Sequence, residues 1–371
     1  TAWLDCQGIF QHLLNHLTAS VKCAPHKSSS YDFKKTPSVV AVRAALMAFI
    51  AGSSLMMNTA AFAESSRVDS IRTAMGESKT FGTEGKDDYD LTAYYADLYG
   101  SLTVHGNFTV NGVMDVGAGA AGAQANHSFI KAKEIRLGNR AQIWCYNESE
   151  NWREATLSAD KMDFSKAYEV RSMRNTVLEM NGRNDGEKTE VSLGVMWVRG
   201  GFMVIDGHGT AGDGTGIIFS SKTDDQGVFR AGSMTWEKGS EIDVDSNAYG
   251  TVEITDSNQL ALGDILIEEL KASKGTTGSQ LTLSITKDGT KDYSFRDAEI
   301  QTGARLNIKG RNVVLSSVGD VVNKGVIAFD DVTANAPRTT TIAKSAFKKL
   351  LDGSKEGGVL YLGATTDKSL N

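Results

Sequence analysis

The sequence predicts an all-β protein, an irregular right-handed parallel β-helix in which short strands coil into a solenoid. Two observations favour this fold. Apolar and polar residues alternate in runs that are mostly too short for hairpin sheets, and this alternation is typical of strands with one buried face. Glycine supplies 38 of the 371 residues and proline only three, while Asn, Asp, Thr and Ser form clusters between the runs. This composition suits many short strands joined by tight polar turns.

The alternation begins at Gly100. Six apolar residues share even positions: Leu102, Val104, Phe108, Val110, Met114 and Val116. Gly106 and Gly112 occupy the even positions between the pairs, where glycine allows the chain to turn. The spacing therefore predicts three short strands, six residues apart, that form the successive sides of one coil.

The same alternation recurs as far as residue 335. Its inward residues include Ile135/Leu137, Val191/Leu193/Val195, Ile242/Val244, Val252/Ile254, Leu260/Leu262, Ile265/Ile267, Leu281/Leu283/Ile285, Leu306/Ile308, Val313/Leu315 and Ile327/Phe329. No helix of ordinary length fits between 100 and 335, which excludes doubly wound α/β folds. A β-sandwich is the alternative, but it needs longer strands joined by hairpins. We therefore predict a solenoid over 100–335, with 174–190 as an excursion from it.

Two segments flank the predicted solenoid. Residues 64–99 are polar and mixed, and we expect a leader or cap with one or two helical turns at 70–75. Residues 336–371 should hold a short helix and a strand at the start of a further segment. The helix is indicated by apolar residues at helical spacing, Ile342, Ala343, Ala346, Phe347, Leu350 and Leu351. Gly353 is expected just past its end, with the strand at 359–362.

Residues 1–63 are predicted to be an N-terminal extension and a signal peptide. Three residues make its start positive: Lys34, Lys35 and Arg43. The apolar run 44–50 follows, and Ala61-Phe62-Ala63 ends the segment with small residues at two positions. These features are typical of a secretory signal. Ala61, Ala63 and Glu64 therefore define the predicted cleavage site, and the mature chain should begin at Glu64.

A retained membrane anchor and a buried core helix are the alternatives for this segment. A membrane-spanning helix needs about 20 mostly apolar residues. Four polar residues interrupt the run here: Ser53, Ser54, Asn58 and Thr59. The sequence therefore favours cleavage over both alternatives.

Removal of residues 1–63 leaves 34 Lys and Arg against 43 Asp and Glu, a net charge of −9. This charge argues against nucleic acid as a partner, since phosphate binding needs a basic face. Cys145 is the only cysteine in the mature chain and lies in an apolar strand-like run. We predict a free, buried thiol that acts as a small hydrophobe, the alternative being a reactive nucleophile.

No catalytic, cofactor-binding or metal-binding residues are predicted. The segment 206–210 resembles the histidine segment of subtilisin-like proteases, but no matching serine segment exists, and Ser233 follows His208 too soon in the chain for such a fold. The segment 212–216 resembles one unit of a calcium-binding glycine-rich repeat, and such sites need tandem copies. Both are interpreted as ordinary turns or loops.

The chain resembles the passengers of autotransporter adhesins over about residues 34–335. The resemblance lies in the signal peptide, the glycine-rich and cysteine-poor body, and phrases such as Gly100–Asn107 and Asn323–Ile327. It implies a β-helical stalk exported by a Gram-negative bacterium to the cell surface, outer membrane or medium. The implied partners are the export machinery, an outer-membrane β-barrel outside this chain and an unknown host or surface ligand. We expect the chain to be the N-terminal part of a longer protein.

The expected function is a structural or adhesive stalk without catalysis. The alternative is a secreted β-helix enzyme that acts on polysaccharide. That enzyme would need carboxylates or basic residues stacked in one groove across successive turns of the solenoid.

Overall fold

Short parallel strands build the described part of the chain, and their lengths run from three to eighteen residues. The computed structural model describes residues 64–117, 127–145, 153–220, 226–269, 279–329 and 339–362. Its elements are β1 Glu64–Thr73, β2 Ser78–Phe81, β3 Tyr89–Leu98, β4 Ser101–Val104, β5 Gly106–Val116, β6 His127–Lys131, β7 Glu134–Leu137, β8 Gln142–Cys145, β9 Arg153–Ser158, β10 Lys161–Asp163, β11 Glu169–Met173, β12 Thr176–Asn181, β13 Thr189–Arg199, β14 Phe202–Phe219, β15 Gln226–Trp236, β16 Glu241–Val244, β17 Tyr249–Ile254, β18 Gln259–Leu262, β19 Asp264–Ile267, β20 Gln280–Ile285, β21 Lys291–Phe295, β22 Ala298–Ile300, β23 Arg305–Lys309, β24 Asn312–Val318, β25 Val321–Asn323, β26 Val326–Phe329, β27 Thr339–Ile342, α1 Lys344–Gly353 and β28 Val359–Tyr361.

The strands pair in parallel from one turn to the next, which gives the solenoid three faces. The first face contains the start of β1, β3, β5 and β13, with β7, β10, parts of β14 and β15, and then β18, β21, β24 and β27. The second face contains the later parts of β1, β3, β5, β13 and β14, with β8, β11, β16, β19, β22 and β25. The third face contains β2, β4, β6, β9, β12, the start of β14 and β15, β17, β20, β23, β26 and β28.

The predicted parallel β-helix is confirmed, with about ten turns, and the sandwich is not the fold. Its irregularity is also as predicted. The turn that leads from Tyr89 to its partner Gly106 is only about half as long as the turn from Val326 to its partner Val359. Within the described ranges between 100 and 335 no residue is helical. Buried apolar side chains fill the interior along the whole described length, as the alternation requires.

The predicted boundary at residue 100 is wrong. β1 pairs with β3 and β3 with β5, so 64–99 form the first turns of the same solenoid. The helical turns expected at 70–75 are wrong as well, because β1 continues to Thr73. Val68 packs against the core and Ile71 lies in it, at the bend from the first face to the second. The two residues are three positions apart in the sequence, a spacing typical of one face of a helix, although both lie on a bent strand.

The predicted excursion at 174–190 is mostly wrong. β12 occupies 176–181 and pairs with both β9 and β14, so only the turn 174–175 and the segment 182–188 lie outside the strands. Residues 339–342 and 359–361 also continue the solenoid, because β27 pairs with β24 and β28 with β26. The solenoid therefore extends beyond both of its predicted limits.

The helix α1 lies at the C-terminal end of the described solenoid. Ala346 and Leu350 are buried, and the helix packs beside β24 and β25. Gly353 falls in the last turn rather than after it, and Ser354 closes the helix by donating its backbone N–H to the carbonyls of Leu350 and Leu351. Among the described residues, none lies in a helix long and apolar enough to cross a membrane.

Candidate functional site

A column of charged and aromatic side chains follows the outside of the second face. Its members are register partners on five successive turns: Asp97, Asp115, Trp144, Arg171 and Trp197. Paired strands lie about 4.8 Å apart, so neighbours in such a column touch. We call these five residues the second-face ladder.

Arg171 is the centre of the second-face ladder. Its guanidinium carbon lies 5.6 Å from the ring centroid of Trp144 and 5.8 Å from that of Trp197. Its Nε also donates a hydrogen bond to the buried carboxylate of Glu169 at 2.5 Å. Cation–π contacts contribute about 0.5–2 kcal/mol each. The guanidinium of Arg171 therefore lies against both indole rings and links three successive turns of this wall.

Asp115 lies in this ladder between Asp97 and Trp144. Burial, and then the charge of Asp97, raise the pKa of Asp115 to about 6. Its Oδ1 is buried and has no hydrogen-bond partner within the described residues. The carboxyl group therefore gains a proton at mildly acidic pH, where it becomes a donor.

A large groove lies at the first corner, where the first face turns into the second. Its volume is about 740 Å³. Charged side chains from several turns line it: Asp213, Lys238, Asp264, Arg296 and Asp297. This arrangement of carboxylates and cations is the one that the polysaccharide-enzyme alternative requires. We call it the first-corner groove.

Backbone groups already hold most of the charge in the first-corner groove. Arg296 donates to the carbonyl oxygens of Trp236, Glu237 and Ser240 on an earlier turn. The Asp264 carboxylate accepts the Asp297 backbone N–H at 3.3 Å. In the same way, the Asp297 carboxylate accepts the backbone N–H of Asp320 at 2.8 Å. These side chains tie one turn of the solenoid to the next.

Glycines make room for these side chains. A Cβ at Gly239 would overlap Asp213 Oδ1, and one at Gly319 would overlap Asp297 Oδ1. Such contacts are impossible without movement of the charged group. The groove therefore needs glycine on one turn opposite a charged side chain on the next.

His208 lies on the first face with both ring nitrogens bound to hydroxyl groups. Nδ1 is 2.8 Å from Ser233 Oγ, and Nε2 is 3.1 Å from Thr235 Oγ1. His208 and Ser233 lie 25 positions apart in the sequence, and one turn of the solenoid brings their side chains together. A catalytic triad also needs a carboxylate to orient the histidine. Asp206 is instead paired with Lys188, so the described residues form no triad here.

Cys145 is buried and free, as predicted. Burial raises the pKa of its thiol to about 12, so the nucleophilic thiolate is disfavoured. The glycine-rich segment 212–216 lies within β14. No group of three or more His, Cys, Asp or Glu side chains that could hold a metal ion occurs among the described residues.

The predicted cleavage residues Ala61 and Ala63 lie outside the described residues, and Glu64 is the first residue of β1. Comparison of the chain with protein-family models, with curated proteins and with solved structures finds no match.

Proposed function

We propose that this chain is the β-helical stalk of an exported bacterial surface protein, with a structural or ligand-binding role. One observation carries the proposal. The described residues that follow the predicted cleavage site form a parallel β-solenoid of about ten turns, the elongated architecture that a stalk requires.

The way in which the solenoid is built supports export. Each turn contacts chiefly its neighbours, so such a chain can fold turn by turn as it emerges from a membrane. The only cysteine after residue 63 is buried and unpaired, so the described solenoid holds together without disulfides. Side-chain ladders such as Trp144–Arg171–Trp197 then stiffen the outer surface.

The test is expression of the full chain in a Gram-negative host, followed by N-terminal sequencing of the exported material. We expect the sequence to begin at Glu64. Ala61→Tyr and Ala63→Tyr should each block processing, because the peptidase pockets accept small residues. Phe62→Tyr, between them, is the matched control and should be processed normally. Exported chain that retains residues upstream of Lys34 would overturn the proposal.

A second candidate function is supported by the first-corner groove, which places carboxylates and cations from several turns in one cleft. An enzyme acting on polysaccharide would use them. Lys238 makes no ion pair with any described residue, so Lys238→Gln should leave the fold intact. The assay measures new reducing ends released from a panel of polysaccharides. Activity that is lost in Lys238→Gln but retained in Lys348→Gln, a control on α1, would establish catalysis. It would then replace the proposal of a purely structural stalk.

A further inference from the structure

A second recess lies at the third corner, where the third face turns into the first. Its volume is about 440 Å³, and the turns after β20 and β23 form it. Three cationic side chains line it, from Lys291, Lys309 and Arg311, whereas Asp288 supplies the one carboxylate among its described lining residues. Polar side chains complete the lining: Ser284, Thr286 and Asn312. We call this the basic recess.

Earlier turns of the same corner show how this protein usually neutralises cations. Arg183 binds the Asp87 carboxylate through both of its terminal nitrogens, and this hydrogen bonding lowers the pKa of Asp87. Lys188 pairs with Asp206 and lies 3.4 Å from the Asp256 carboxylate. Each of these two cations has at least one carboxylate partner.

The cations at the basic recess lack such partners among the described residues. Lys287, which lies in the same turn but is not one of the lining residues, donates to the backbone carbonyl of Asp256 at 2.8 Å. Lys291 donates to the carbonyls of Lys287 and Gly289. Carbonyl oxygens fix an ammonium group in place but carry no net charge to neutralise it. Within the part of the chain that the structure describes, the side chains of Lys309 and Arg311 make no ion pair or hydrogen bond.

We propose that the basic recess binds an oxyanion, namely the carboxylate, sulfate or phosphate group of a ligand. The Arg311 guanidinium is suited to bind two oxygens of one such group. Lys291, held by two carbonyls, has a third N–H to offer, and Lys309 adds a point charge. The role of this site in the organism rests on the proposed ligand-binding function. Binding of the oxyanion can be measured on the purified chain whether or not that function is correct.

The probes are inorganic sulfate and inorganic phosphate, and the readout is the thermal unfolding midpoint of the full chain. Chloride at matched ionic strength is the reference, because a ligand that binds only the folded state raises the midpoint. We expect both oxyanions to stabilise the wild-type chain beyond chloride. Lys309→Gln combined with Arg311→Gln should weaken the apparent affinity about tenfold. The matched control, Lys348→Gln with Lys349→Gln, removes two cations from α1 and should bind like wild type.

Equal stabilisation of all three proteins would overturn the proposal, because sulfate and phosphate also act as general stabilisers of folded proteins. Absence of any stabilisation beyond chloride would overturn it too. The unfolding midpoint of each variant in chloride alone checks that the fold is intact. The export proposal is tested separately, by N-terminal sequencing of the exported chain. Its failure would not change the ion-binding measurements.

Discussion

Charged side chains line both the first-corner groove and the basic recess, but they differ in what they bind. In the groove, Arg296 binds three backbone carbonyls and Asp297 accepts a backbone N–H from the next turn. In the recess, Lys309 and Arg311 have no such partners within the described part of the chain. Both surfaces contain charges from neighbouring turns, so the presence of charge alone does not show what each surface does.

The difference teaches that a charged cleft in a solenoid must be judged by what its charges already bind. A side chain that satisfies backbone groups at a corner lowers the free energy of the folded chain, and its removal leaves those groups without a protein partner. A side chain without partners contributes little to folding. It remains available to a ligand. Substitution should therefore lower stability in the groove and leave it nearly unchanged in the recess.

The largest expected effect is at Arg296. Arg296→Met should lower the free energy of unfolding by about 2–3 kcal/mol, since several carbonyl oxygens on an earlier turn lose their donor. Arg311→Met is the matched control and should change it by less than about 0.5 kcal/mol. Urea unfolding of the full chain measures both. Equal losses in the two variants would remove the distinction between groove and recess.

An intermediate effect is expected at the glycines of the groove. Gly319→Ala should lower the free energy of unfolding by about 1–3 kcal/mol, because the new Cβ would overlap Asp297 Oδ1 and the tight corner must shift. Gly212→Ala is the control, since the nearest atom to its Cβ is 3.5 Å away. Thermal unfolding compares them. A harmless Gly319→Ala would show that both the Asp297 carboxylate and the nearby Arg296 backbone shift at little cost.

The smallest effect is expected at Asp115, a half-buried carboxyl group whose Oδ1 has no hydrogen-bond partner within the described residues. Its pKa of about 6 in the folded chain exceeds the ordinary value near 3.9. The charged form is thus disfavoured on folding, and stability falls as pH rises from about 4 to about 6. Asp115→Asn should raise the free energy of unfolding by about 1 kcal/mol at pH 7, after allowance for partial exposure. The gain should vanish near pH 4, and a gain that does not depend on pH would contradict this origin.

Much of the fold could be predicted because strand alternation is a local property. The alternation in the segment 102–116 predicts which of its residues face inward. The structure buries the apolar residues at the even positions of this segment. The first turns do not show this alternation in the sequence, because Val68 and Ile71 lie at a bend that breaks the alternation of inward residues. The apolar neighbours of Cys145 in the sequence indicate burial, and the structure buries this residue.

The ladder and the two corner surfaces could not be predicted in this way. Turns differ in length by nearly a factor of two, so no repeat in the sequence reveals which residues become neighbours. Arg183 reaches Asp87 across 96 positions, and Arg296 meets carbonyls up to 60 positions away. The sequence by itself determined which side chains face inward, because a strand alternates its faces whatever it pairs with. Only the tertiary structure decided which outward side chains meet, because the register between turns depends on the length of every loop between them.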